Sequence, residues 1–200
     1  MVKATGAATA GGQRIHRLKI TLHGTQPPIW RRVEVDSECT LGQLHYVIQA
    51  AFGWEDEHLW VFETRAGEFG VPHPEVRHRD AGSQQLSGVA RRTGSRFSYT
   101  YDLGDCWQHD IVVEAVTERE PDVTYPRCMA GRRACPPEDC GGVWGYGWLM
   151  EVLADPGHEE HADRLDWMGL DTADQFDPAA FDVAEVNGVL AKMSGRGPRG

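Results

Sequence analysis

Cys128, Cys135 and Cys140 fall within 13 residues, in a stretch that also holds Gly131, Pro136, Pro137, Gly141 and Gly142. Thiolates and imidazole are donors that zinc prefers, and a loop rich in glycine and proline can wrap an ion without regular structure. With His109 upstream, Cys128, Cys135, Cys140 and His109 are the best metal-ligand candidates in the chain. The spacing of six residues and then four is not that of paired Cys-x2-Cys knuckles. Thiols buried as small apolar groups explain the same residues without an ion, and that is the preferred reading. The sequence demands no cofactor; zinc is the one these ligands would suit.

The run Tyr101-Asp102-Leu103-Gly104-Asp105-Cys106-Trp107-Gln108-His109 brings two carboxylates, a thiol and an imidazole into nine residues. It could serve a metal-dependent hydrolase, with Asp105 as ligand or base and His109 as proton carrier. It also reads as a tight hairpin, in which Asp102 and Asp105 accept turn amides, Gly104 takes a positive φ and Trp107 enters the core. The hairpin reading is favoured. His158-Glu159-Glu160-His161 places two imidazoles at i and i+3, whereas zincins need i and i+4, so it is read as a polar helix start after Asp155-Pro156-Gly157. Neither a Walker loop nor a strand followed by Gly-x-Gly-x-x-Gly is present, which argues against nucleotide chemistry.

Charge narrows the partners. Residues 1–100 carry 12 Lys+Arg against 10 Asp+Glu, and residues 101–200 carry 8 against 20, so the halves stand at +2 and -12. Nucleic-acid binding draws much of its affinity from neutralised phosphates, which such a second half opposes. Arg31 and Arg32 are the candidates for a local nucleic-acid contact, against a background reading of ordinary solvated surface. A recombinase would need an activated serine and a basic reading segment, and neither is found. A protein partner fits the charge better than nucleic acid does. No apolar run approaches membrane-spanning length and no signal core opens the chain, so a cytoplasmic protein without a membrane partner is expected.

The elements that must position these residues follow from periodicity. Leu18, Ile20 and Leu22 alternate with polar neighbours, as do Ile29, Arg31, Val33 and Val35 beyond Pro27-Pro28, predicting an antiparallel hairpin. Thr40 with Gln43 three residues on is a capping-box pattern, and Leu41, Leu44, Ile48, Ala51 and Phe52 share one face of a helix over 41–52. His58–Glu63, Phe97–Tyr101 and Asp110–Val116 read as strands, the last two as a second hairpin. From Val143 the period becomes helical in three segments. The stretch 69–85, rich in Gly, Pro, His and charge, reads as a linker. Strands early and helices late give an α+β fold: an antiparallel sheet from hairpins in the first two thirds, a helix in the N-terminal half and a helical C-terminal third. Residues 14–193 are read as one domain between disordered tails at 1–13 and 194–200. Trp30, Trp54, Trp107 and Trp144 are expected in or beside the core.

Four blocks occur together in order: Pro27-Pro28-Ile29-Trp30-Arg31-Arg32-Val33, Thr40-Leu41-Gly42-Gln43-Leu44-His45, Tyr99 to His109, and Ala134-Cys135-Pro136-Pro137-Glu138-Asp139-Cys140-Gly141-Gly142. With them the chain resembles the plasmid pRiA4b ORF-3-like family from about residue 15 to 190. The resemblance implies a compact α+β protein. Some members sit beside transposable elements and carry passenger or resolvase-type labels, which describe a genetic setting and no activity. In the family the segment after Trp54 often resembles a paired-histidine pattern; this chain has His58 followed by Trp60, so a two-histidine role does not carry over. The reading is an accessory or interaction protein without catalytic activity, associated through the resemblance with mobile elements.

Overall fold

The computed structural model describes residues 13–72 and 77–194. The expected tails at 1–13 and 194–200 fall almost wholly outside them; Gln13 is described, and its carbonyl accepts the Arg119 amide at 2.8 Å.

The first hairpin forms as predicted. β1 (Arg14–Leu22) pairs antiparallel with β2 (Trp30–Asp36), with Leu18 opposite Val33 and Ile20 opposite Arg31. Side chains alternate between faces of a strand, so His16, Leu18, Ile20 and Leu22 enter one face while Arg17, Lys19 and Thr21 leave by the other. α1 (Leu41–Phe52) follows, closed at its start by the reciprocal Thr40–Gln43 capping box and at its end by Gly53 in the left-handed region, φ 88°. β3 (Trp60–Thr64), β4 (Gly67–Gly70) and β5 (Arg79–Asp80) lead to the short α2 (Leu86–Val89). The second hairpin joins β6 (Arg96–Tyr101) to β7 (Trp107–Glu118), with Tyr101 opposite Trp107. After β8 (Arg127–Arg132) come α3 (Gly142–Ala154), α4 (His161–Trp167), a 3-10 turn at Ala173–Gln175 and α5 (Val183–Ser194).

These strands make one eight-stranded sheet in the order β5-β4-β3-β6-β7-β1-β2-β8. All neighbours are antiparallel except β4 and β5. The fold is α+β with a helical C-terminal third. One face carries the core, where Leu18, Ile20, Val33, Phe62, Tyr99, Tyr101, Trp107, Ile111 and Val113 meet Leu44 and Ile48 of α1 and Leu190 of α5. The opposite face is a lattice of charge pairs: Arg17 and Arg127 both reach Glu34, and Arg32 grips Glu114 through two nitrogens. Among the described residues no helix is long and apolar enough to cross a membrane.

The structure departs from two expectations. The stretch read as a linker over 69–85 holds the end of β4, all of β5, and Phe69 and Ala81, which are buried in the common core. Its glycine and charge reflect short edge strands. Of the four tryptophans, Trp54 and Trp107 are core residues, Trp30 lies on the charged face beneath Lys19 and Arg32, and Trp144 projects into solvent.

Candidate functional site

Three loops meet at one end of the sheet: the α1–β3 loop, the β6–β7 turn and the β8–α3 loop. Tyr101 brings them together. Its hydroxyl donates to Glu138 Oε1 at 2.5 Å and accepts the Glu57 amide at 3.1 Å. The other Glu138 oxygen accepts the Glu55 amide, and the Trp54 indole donates to the Pro136 carbonyl at 3.1 Å. In the β6–β7 turn Asp102 Oδ1 accepts the Gly104 amide at 2.8 Å as the sequence suggests, whereas Asp105 Oδ2 reaches out of the turn to the Gly141 amide at 3.0 Å. The positive φ expected at Gly104 falls on Asp102 and Cys106 instead. Gly142, at φ 67°, is obligatory, because a Cβ there would stand 2.4 Å from the Asp105 carbonyl oxygen. Asp56, Asp102, Cys106 and Asp139 also hold left-handed φ values of 54–62° without being glycine. Such backbone is costly and concentrates where structure fixes functional geometry.

His58 lies at this junction. Its Nε2 is 3.3 Å from Asp139 Oδ1 and its Nδ1 is 3.9 Å from Asp102 Oδ2. Among the described residues, these three form the group whose donor atoms all lie within 4.8 Å of one another. No reading of the sequence joined them: they come from three separate segments, and their proximity follows from the tertiary meeting of the loops. A cleft of about 570 Å³ is lined by Trp54, Glu55, Cys135, Pro137, Glu138 and Trp167 among others, and His58, Asp102 and Asp139 are not part of its wall.

The four residues singled out for metal, Cys128, Cys135, Cys140 and His109, do not make such a group. Cys128 sits in the core opposite Val33, its thiol directed to the Ala130 carbonyl. Burial pushes the Cys140 thiol up to about 12 and the Cys135 thiol well above its ordinary value, the latter against the opposing pull of Arg31. His109 is fully buried among Phe52, Trp54 and Tyr99, and donates through Nδ1 to the Tyr99 carbonyl. Desolvation holds its imidazole down at about 4, so it packs as a neutral aromatic ring. Asp105 is engaged with the Gly141 amide, which leaves the pairing of Asp105 with His109 unassembled.

The two arginines part company because they are neighbours on a strand. Arg31 faces the core and is 3% exposed. Its guanidinium lies 4.9 Å from the Phe52 ring and 4.3 Å from that of Phe181, and donates to the carbonyls of Ala51, Trp30 and Arg132. Arg32 points to the opposite face and is paired with Glu114. The two therefore cannot form one nucleic-acid contact. His158 and His161 are likewise engaged locally, with the Glu160 amide and the Val152 carbonyl.

A second feature lies on α3, whose first turn packs on the β6–β7 turn. Trp144 and Trp148, four residues apart, share one helix face. Trp144 is 92% exposed, and Trp148 packs against His158 and the Arg164 guanidinium. Both line a groove of about 800 Å³ with Pro27, Ile29, Phe176 and Pro178.

The chain is similar to uncharacterized protein y4hQ of Sinorhizobium fredii, at 38% identity over 186 residues, covering 92% of this chain and 94% of the relative. It is also similar to a solved structure, the protein of unknown function MM3350 from Methanosarcina mazei Go1, with a TM-score of 0.77, 38% identity, and coverage of 87% of this chain and 98% of that one. A model of the plasmid pRiA4b ORF-3-like proteins matches residues 14–185. On sequence, fold and length of match alike, the chain belongs to the plasmid pRiA4b ORF-3-like protein family.

Proposed function

We propose that the chain is an accessory interaction module, without catalytic activity of its own, that docks a basic segment of a partner protein on the tryptophan face of α3. The observation that carries this reading is Trp144, 92% exposed on a groove wall. Single exposed apolar residues are ordinary, but an aromatic pair along a groove has the character of an interface anchor, and tryptophan is enriched among residues that dominate binding energy. Charge selects the partner. Between residues 151 and 185 there are eleven Asp or Glu against one basic residue, Arg164. Acidic surroundings speed and orient a positively charged partner, and indole faces attract cations directly.

Fluorescence quenching tests the reading. Acrylamide quenches the exposed Trp144, and a lysine- and arginine-rich peptide is expected to protect it, whereas an acidic peptide of equal length gives no protection. Equal protection by both peptides, or by neither, contradicts the assignment.

A further inference from the structure

We infer, on the footing of the docking groove proposed above, that Arg133 and Tyr146 in its wall bind the C-terminal carboxylate of the partner's basic segment. Arg133 is the residue that a basic partner leaves unexplained, because a guanidinium in the wall repels lysine and arginine side chains. Its side chain makes no ion pair and no hydrogen bond with any of the described residues, Glu151 of the same wall included. A segment rich in lysine and arginine can offer that guanidinium one group of opposite sign, the carboxylate at its C-terminus. Arginine meets a carboxylate through two parallel N–H donors, and capture of a terminal carboxylate is a recurrent mode of peptide recognition. Glu151 is then left for a basic side chain of the same segment.

Tyr146 is an independent sign. It is 8% exposed, and its hydroxyl is buried with no hydrogen-bond partner among the described residues. Buried polar atoms are otherwise almost always paired, and one left unpaired is costly, so an acceptor brought to this hydroxyl removes a cost. Burial pushes the phenol up, and it keeps the proton that a carboxylate accepts. The Arg133 charge pulls the other way, which puts guanidinium and hydroxyl within electrostatic reach of each other. The backbone holds Arg133 from both sides: the Arg132 carbonyl accepts from Arg31 at 3.1 Å, and the Ala134 amide donates at 3.3 Å to the carbonyl of Pro178, another groove residue. Arg133 itself stands at φ 70°, where glycine costs less, so an arginine is kept there against its backbone preference.

The probe is one lysine- and arginine-rich peptide without Asp or Glu, labelled at its N-terminus and made with either a free C-terminal carboxylate or a C-terminal amide. Fluorescence anisotropy on the full chain should show the acid bound about tenfold more tightly than the amide, the scale of a hydrogen-bonded charge pair. Long-range attraction runs the other way, since the protein carries a net charge of -10 and the amide is the more positive peptide. Arg133 has no described partner to lose, so Arg133→Gln should melt as the parent does and bind acid and amide alike. Tyr146→Phe keeps the ring and should narrow the preference severalfold. Equal binding of acid and amide to the parent overturns the carboxylate site and leaves the docking groove standing. An undiminished preference in Arg133→Gln or in Tyr146→Phe overturns the site as well, and so does an amidated peptide with one internal Glu that binds as tightly as the acid. Binding of neither peptide overturns the groove and the carboxylate site together.

Discussion

Removing the Arg31 guanidinium strips the donor from three carbonyls on the buried side of the sheet, among them Ala51, which lies in the last turn of α1. The last carbonyls of a helix have no partner within it, and buried acceptors left unpaired cost about 1–3 kcal/mol each. Arg31→Met is therefore expected to destabilise by roughly 3 kcal/mol or more in urea unfolding. Arg32→Ala, which breaks a pair partly open to solvent, should cost within about 1 kcal/mol. Comparable losses at the two positions would contradict the opposite facing of the two side chains. His109 gives the pH dependence. Its folded value of about 4 lies below the ordinary 6.5, so between these values the unfolded chain binds a proton that the native one does not. Stability is then full above pH 6.5 and falls as the pH drops toward 4, by roughly 3 kcal/mol from this group. Buried His16 and His45, also depressed by desolvation, act in the same direction. His109→Gln should flatten the slope between pH 7 and pH 5 without abolishing it; an unchanged slope would mean that another group controls it.

Among elements, α1 and α3 make separable forecasts. Thr40→Ala removes the side-chain half of the capping box that starts α1, for an expected loss of about 1 kcal/mol. Within α3, Gly147 meets nothing within 4 Å of an added Cβ, whereas a Cβ on Gly145 would come 1.9 Å from the Cys140 carbonyl oxygen. Gly147→Ala should stabilise by about 0.5–1 kcal/mol and Gly145→Ala should destabilise, both read by thermal melting. Much of this level was legible in the sequence. The Thr40–Gln43 signature placed α1, alternation placed the first hairpin, and strand-forming runs on either side of a turn placed the second, because caps, periods and propensities are local. The order of strands in the sheet was not legible, and neither was the approach of His58 to Asp102 and Asp139, since nothing within any one segment specifies which loops share an end of the sheet. Cysteine spacing says as little about depth: Cys128 lies in the core on β8, while Cys135 and Cys140 lie in the loop that follows it. An apolar helical period places Trp144 in or beside the core, but α3 turns Tyr146, Leu149, Val152 and Leu153 inward and leaves Trp144 on its outer side.

At the scale of the whole molecule, the sheet has one face filled by α1, α5 and the core and another ruled by charge pairs, while the groove under Trp144 takes part of its wall, Glu151 included, from the C-terminal third that carries the excess of negative charge. On the proposed reading, that excess draws a basic partner toward the exposed aromatic anchor. Calorimetric titration of the full chain with a lysine- and arginine-rich peptide, repeated with Trp144→Ala, tests that account most directly. The account predicts binding that weakens as salt rises, and a loss of about 2 kcal/mol or more in the variant, the scale of an interface hot spot. Trp144 touches little of the fold, so the variant should melt as the parent does. Binding of equal strength to the parent and to Trp144→Ala, or no binding to either at low salt, would contradict it.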